Sequence, residues 1–142
     1  MNQTELIKLV MSSFEAEQSS NPTRGLELIH DDFAVTEMNI GRNGKLFRRA
    51  TGDEIRLNIK DAFQISDREY QFVHASADEA TQTVMVEFVE SYGDVATGKR
   101  YRTPQVAVCE IKDGKIWRTR HYCDDRVSYE FLSQEVIDAA LS

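Results

Sequence analysis

Asp113-Gly114 constrains this chain more than any other pair of residues. It sits between two β-prone runs, Tyr101 to Lys112 and Lys115 to Asp124. A two-residue type I′ turn needs positive φ at both central positions, which Asp-Gly tolerates, so the two runs are predicted to form an antiparallel hairpin. Counting outward from the turn sets Ile111 against Ile116, Cys109 against Arg118, Ala107 against Arg120, Gln105 against Tyr122 and Thr103 against Asp124. Directly opposed residues share a face. One face then carries Arg118, Arg120, Tyr122 and Asp124, and the other Val106, Val108, Glu110, Trp117, Thr119 and His121. Neither face is plainly solvent. Either the Val106, Val108 and Trp117 face is core, with Arg120 and Asp124 in water, or the Arg120, Tyr122 and Asp124 face lines a pocket and a partner covers the valines. Periodicity leaves both open.

Within Ala96 to Asp124, ATGKRYRTPQVAVCEIKDGKIWRTRHYCD, four residues stand at particular offsets. Pro104 follows Gly98 by six, and Asp124 follows Gly114 of the DGKI turn by ten. This segment resembles the closing hairpin of SnoaL-like polyketide cyclases of the nuclear-transport-factor-two-like superfamily. The resemblance implies that Asp124 is a catalytic acid/base and that its face points inward. It also implies a cofactor-independent cyclase, isomerase or lyase acting on a small apolar or carbonyl-containing molecule. Arg120 and Tyr122 share the Asp124 face and could stabilise an enolate oxygen there, since donors aimed at developing charge lower the barrier. A non-catalytic ligand-binding or dimeric assembly module of the same fold is the alternative.

A second resemblance rests on Asp31, Asp32 and Glu37. Ketosteroid isomerases of the superfamily carry a catalytic aspartate six residues after the first Asp of such a pair. Glu37 occupies that place here, one methylene longer. As a plain sequence feature it is a strand-edge carboxylate. Epoxide hydrolysis, found in another branch, uses an Arg-x-Asp strand motif that Gln105 to Ile111 lacks.

The rest of the chain supplies elements in an order that suits this fold. Leu6, Ile7, Val10 and Phe14 recur at helical spacing, predicting an amphipathic helix from Asn2 to about Ser19, ended by Ser19-Ser20-Asn21-Pro22. A short helix follows from Thr23 through Ile29. Phe33 to Asn39 and Gly44 to Arg49 read as strands around a Gly41-to-Gly44 turn. Thr51-Gly52-Asp53-Glu54 is a capping-box sequence opening a helix whose apolar stripe is Ile55, Ile59, Ala62 and Phe63. Tyr70 to Ser76 and Thr83 to Tyr92 are further strands, and Phe131 to Leu141 a helical tail. Helices followed by four consecutive antiparallel strands make an α+β domain. The resemblance makes it a conical barrel, a curved, mostly antiparallel sheet wrapped around N-terminal helices. Phe72, Phe88, Tyr92, Tyr101 and Gln105 are candidates for the substrate-binding walls.

At 142 residues the chain is expected to be one domain, residues 1–142, long enough to bury about two-thirds of its unfolded surface. The net charge of −7 would repel phosphate backbones and anionic membranes. The one basic cluster, Arg118, Arg120, Arg126, Lys99, Arg100 and Arg102, is interleaved with Asp113, Asp124 and Asp125, so no nucleic-acid partner is expected. Cys109 and Cys123 fall on opposite faces in the register above, which argues against a disulfide. His30, His74 and His121 lack ligand spacing, and there is no CxxC or HExxH, so neither metal nor cofactor is expected. His121 is read as a surface or interface histidine. Without a signal-peptide pattern or a membrane-length apolar run, the expected location is cytoplasmic. The valine and tryptophan face predicts a homodimer.

Overall fold

The computed structural model describes residues 1–19, 22–39, 47–56, 67–124 and 131–142. Helix α1 (Gln3–Gln18) opens on a full capping box: Asn2 Oδ1 accepts from the Glu5 amide at 3.0 Å, and Glu5 accepts from the Asn2 amide at 2.9 Å. Its stripe of Leu6, Val10 and Phe14 is buried, and Glu17, three residues past Phe14, leaves the helix on the same side. Helix α2 (Pro22–Leu28) returns the chain to strand β1 (Ile29–Glu37). Strand β2 (Arg48–Thr51) leads into helical residues 52–56, where the Glu54 carboxylate accepts from both the Thr51 amide (2.6 Å) and the Thr51 hydroxyl (3.1 Å). The hydroxyl thus donates to the carboxylate. Ile59, Ala62, Phe63, the Gly41-to-Gly44 turn and Arg126 lie outside the described residues.

Strands β3 (Glu69–Asp78), β4 (Thr83–Gly93), β5 (Arg100–Lys112) and β6 (Lys115–Tyr122) follow as consecutive antiparallel neighbours. β6 also pairs in parallel with β1, giving one six-stranded sheet in the order β2-β1-β6-β5-β4-β3. This is the expected α+β architecture, a curved open sheet cupped around the N-terminal helices. The inner face of the sheet and α1 form the core, with Val84, Val86, Phe88, Ala107, Cys109, Ile111 and Ile116 against Leu6, Val10 and Phe14. Phe14 makes edge contacts with Tyr70 and Phe72 and a tilted contact with Phe88, at centroid distances of 4.9, 5.5 and 4.9 Å. Such pairs add to plain area burial. The C-terminal helix α3 (Gln134–Leu141) lies on the other side of the sheet. Gln134 and Asp138 hydrogen bond Gln71 of β3, and Arg102 of β5 donates to the Leu132 carbonyl. Phe131 has φ of +49° and stands before this helix, so the helical tail is shorter than its apolar spacing predicted.

The hairpin turn is as expected, with φ of +51° at Asp113 and +73° at Gly114 and Lys112 paired to Lys115. The ladder beyond it is not. Ile111 pairs with Ile116, but Glu110 pairs with Arg118, so β6 holds one extra residue, Trp117. A β-bulge of this kind moves every later side chain of the strand to the other face. Cys109 therefore opposes Thr119, Ala107 opposes His121, Val108 opposes Arg120 and Val106 opposes Tyr122. The register counted from the turn holds for Ile111 and Ile116 and fails beyond Trp117. The Trp117 ring has the Arg118 guanidinium 4.1 Å from its centroid and the Lys112 ammonium 5.2 Å away. These cation–π contacts favour keeping the extra residue where it is. Neither cysteine forms a disulfide; Cys123, beyond His121 in the same alternation as Thr119, is displaced toward the Cys109 face rather than away from it. Four residues of strand, about 13 Å, separate Cys123 from the partner of Cys109, which explains the absence of a bond better than opposed faces do.

Phe88 is 1% exposed and touches Phe14, Tyr70 and Phe72, so its loss would leave a void that three rings cannot close. Phe88→Ala is expected to lower the unfolding free energy by about 3–5 kcal/mol in urea titration. Gly114→Ala, strained by its positive φ, is expected to cost about 1 kcal/mol in the same experiment.

Candidate active site

Between α1 and the inner face of the sheet lies a cavity of about 340 Å³. That is at the small end of the range for ligand pockets, about 300–1,000 Å³. Its apolar wall comes from Phe14, Ile29, Phe33, Val35, Ile55 and Ile116. The charged and hydrogen-bonding residues come from six different elements and the residue before β3: Glu17, Glu37, Arg68, Tyr70, Glu90, Gln105 and His121. Alternation along the strands accounts for each. Phe33, Val35 and Glu37 share a face of β1, Glu90 follows Val84, Val86 and Phe88 on β4, and Gln105 follows Ile111, Cys109 and Ala107 on β5.

These polar groups form two linked clusters. The Tyr70 hydroxyl donates to Glu17 Oε2, which is also 3.1 Å from Arg68 Nη1. Arg68 Nε lies 3.3 Å from Glu90 Oε1, a charge contact without hydrogen-bond geometry. Gln105 Nε2 donates to Glu90 Oε2 at 2.8 Å, and Gln105 Oε1 is 3.3 Å from His121 Nδ1. The imidazole also packs edge-on against Phe88, 6.1 Å between centroids. Burial raises the proton affinity of Glu90, and Glu17 adds to it, while Arg68, His121 and Gln105 oppose it; the net shift is upward. Burial lowers that of Arg68, but Tyr70, Glu90 and Glu17 more than reverse this, holding the guanidinium charged. Burial, reinforced by Glu17 and Glu90, pushes Tyr70 far above the ordinary tyrosine value, so it stays a neutral donor. Cys109, at the cavity wall, is pushed up to about 12 by burial and is no thiolate nucleophile.

The bulge redistributes the residues singled out from sequence. Arg120 and Tyr122 project from the outer face beside Val108 and Val106, not into the cavity. Arg120 pairs there with Glu110, whose hydrogen bond raises its proton affinity, and Tyr122 is 43% exposed. Asp124 is exposed just past the end of β6 and is not among the cavity-lining residues. His121, read as a surface or interface residue, lines the cavity. Glu37 and Gln105 line it too. Phe72 and Phe88 stand one layer behind, packed on Phe14 and Tyr70. Tyr92 and Tyr101 contact each other at 5.2 Å on the inner face beyond Glu90, and Tyr101 stacks near Phe131 at 4.6 Å, outside the lining. Sequence reading missed Glu17, Arg68, Tyr70 and Glu90. Glu17 and Glu90 continue the buried periodicity of their elements, which was the available signal; Arg68, before its strand, had none.

Among the described residues no group of three or more His, Cys, Asp or Glu side chains could hold a metal ion. No described helix is long and apolar enough to cross a membrane.

A curved open sheet cupped around N-terminal helices is the fold shared with nuclear-transport-factor-two-like structures. The SnoaL-like domain profile matches residues 10–119, and the chain belongs to that family. Among solved structures, a suspected isomerase from Bacillus subtilis is similar at a TM-score of 0.73 and 19% identity, over 91% of this chain and 95% of that one. An LEH-like epoxide hydrolase from M. tuberculosis gives 0.71 and 21% over 98% and 97%. A suspected polyketide cyclase from Xanthomonas campestris gives 0.65 and 20% over the whole of both chains. At these identities the likeness is one of fold. No curated protein sequence matches the chain.

Because the Glu90 carboxyl is raised in the folded state, the native protein holds a proton that the unfolded chain releases between the ordinary value of 4.5 and the raised one. Folding stability therefore falls as pH rises through that window, by the amount the shift represents, and the loss persists above it. Glu90→Gln abolishes the titration. Its stability relative to the parent is expected to improve as pH rises from about 4.5, then level off, in urea titrations across pH.

Proposed function

We propose that this protein binds a small, largely apolar carbonyl compound in the cavity and moves a proton on it without a cofactor, with Glu37 as the proton acceptor. The observation that carries this reading is the position of Glu37. It ends the Phe33, Val35 wall on β1, lines the cavity and stands beside His121 on the neighbouring strand. A carboxylate held at the edge of an apolar wall is less well solvated than one in water, and it sits where a bound molecule's α-proton would be presented. The Arg68 guanidinium at the same cavity, held charged by its neighbours, supplies positive potential toward an oxygen that gains charge as the proton leaves, while the Tyr70 hydroxyl directs its proton to Glu17. The fold-mates described as isomerase and polyketide cyclase support the same reaction class, and the match of Glu37 to the ketosteroid isomerase aspartate supports the residue. Asp124 carries the family's motif spacing but, exposed past β6, has a weaker geometric claim than Glu37.

A panel of small cyclic ketones screened by thermal shift, followed by NMR of α-proton exchange in heavy water, tests this directly. Glu37→Gln is expected to keep the ligand-induced rise in Tm and to lose exchange by about 100-fold or more. Asp124→Asn is expected to leave exchange unchanged. Bound ketone with no exchange in the parent, or exchange undiminished in Glu37→Gln, would leave the non-catalytic binding module as the function.

The same reading includes a homodimer on the outer face of the sheet. Met85, Val106 and Tyr122 are 51%, 38% and 43% exposed there, on three neighbouring strands with Val108 between them. Exposed apolar side chains grouped in this way mark an interaction surface. Sedimentation at micromolar concentration is expected to give a dimer that Val106→Asp converts to monomer; a monomeric parent rules this surface out as a self-interface.

A further inference from the structure

We infer that Glu90, Gln105 and His121 form an oriented hydrogen-bond chain that holds His121 as its Nδ1–H tautomer, so the cavity receives ligands that offer a hydroxyl proton to His121 Nε2. The inference rests on the reading that the cavity takes a small molecule, and it adds which chemical group that molecule carries.

The direction of the chain follows from its first member. Glu90 turns Oε1 to the Arg68 guanidinium at 3.3 Å and Oε2 to Gln105 at 2.8 Å, and in the carboxylate form both oxygens can only accept. The Gln105 group 2.8 Å from Glu90 Oε2 is therefore the amide nitrogen, which leaves the amide oxygen for His121. An oxygen 3.3 Å from Nδ1 requires the proton on Nδ1. In a neutral imidazole Nε2 is then an acceptor, and it has no hydrogen-bond partner among the described residues. The edge-on Phe88 ring restrains the imidazole from turning over. Glu17 is engaged by Tyr70 and Arg68, and Glu37, the neighbour of His121 on β1, offers a further acceptor. The polar end near β1 and β6 therefore presents two acceptors side by side. A phenol, enol or alcohol on an otherwise apolar frame matches it; a ligand whose only polar group is an ether does not. Gln105 and Glu90 act through His121 and are positioning residues.

Two measurements at about pH 8, above the ordinary histidine range, test the inference. Nitrogen-15 NMR of the imidazoles, with His121→Phe used to assign the signal, is expected to show the parent's His121 as the Nδ1–H tautomer. Glu90→Gln, which can present either an oxygen or a nitrogen to Gln105, is expected to give a mixture of tautomers. Calorimetry with 2-naphthol and its methyl ether is expected to show the naphthol bound about fivefold more tightly, with the preference gone in His121→Phe. An Nε2–H tautomer in the parent overturns the inference, as does equal binding of the two naphthalenes or failure of the naphthol to bind. These outcomes are separate from proton exchange: a preference for the naphthol without exchange of a ketone retains the oriented chain and discards Glu37 as a base.

Discussion

The pairing of β6 with both β5 and β1 is the constraint on which the cavity depends. β6 is an inner strand of the sheet, bonded antiparallel on one side and parallel on the other. Whatever register it adopts is imposed on both neighbours, because each backbone group it fails to pair would be left without a partner in a buried ladder. The extra residue at Trp117 sets that register. It turns Thr119 and His121 inward and sends Arg120 and Tyr122 out, and its own ring is covered by Lys112 and Arg118.

The inward set has consequences beyond β6. Once His121 faces the cavity opposite Ala107, its ring reaches the Gln105 amide on the same face of β5, and that amide joins it to Glu90. Glu90 in turn shares Arg68 with Glu17, so a continuous polar chain runs from β6 across β5 and β4 to α1. A buried chain of this kind is stable only when its members satisfy one another. The cavity therefore combines hydrocarbon from Phe14, Ile29, Phe33, Val35, Ile55 and Ile116 with a chain of charges and hydrogen bonds that crosses α1, β3, β4, β5 and β6.

Much of the fold was legible in the chain itself. The stripe of Leu6, Val10 and Phe14, the Asp113-Gly114 turn and the alternation in β4 and β5 are local signals, each set by interactions within a few residues. They identified the helices and the consecutive antiparallel strands, and the elements begin and end within a few residues of where the pattern put them. Gln105, from its place in β5, and Glu37, from the resemblance in its spacing after Asp31, were candidates that line the cavity; Arg120, Tyr122 and Asp124 were candidates that do not.

The sequence by itself determined the helical stripe, the hairpin and its turn, because these depend on backbone preferences and side-chain periodicity near in the chain. Only the tertiary structure decided which face of β6 meets the cavity. A bulge costs one local hydrogen-bond pair and is favoured or not by what lies against it, here the parallel strand β1 and the cations over Trp117, residues remote or ambiguous in sequence. The meeting of Glu17, Arg68, Tyr70 and Glu90 was decided in the same way. No pair of them but Arg68 and Tyr70 is near in the chain, and each finds a partner for its charge or hydroxyl only when α1 closes over the sheet.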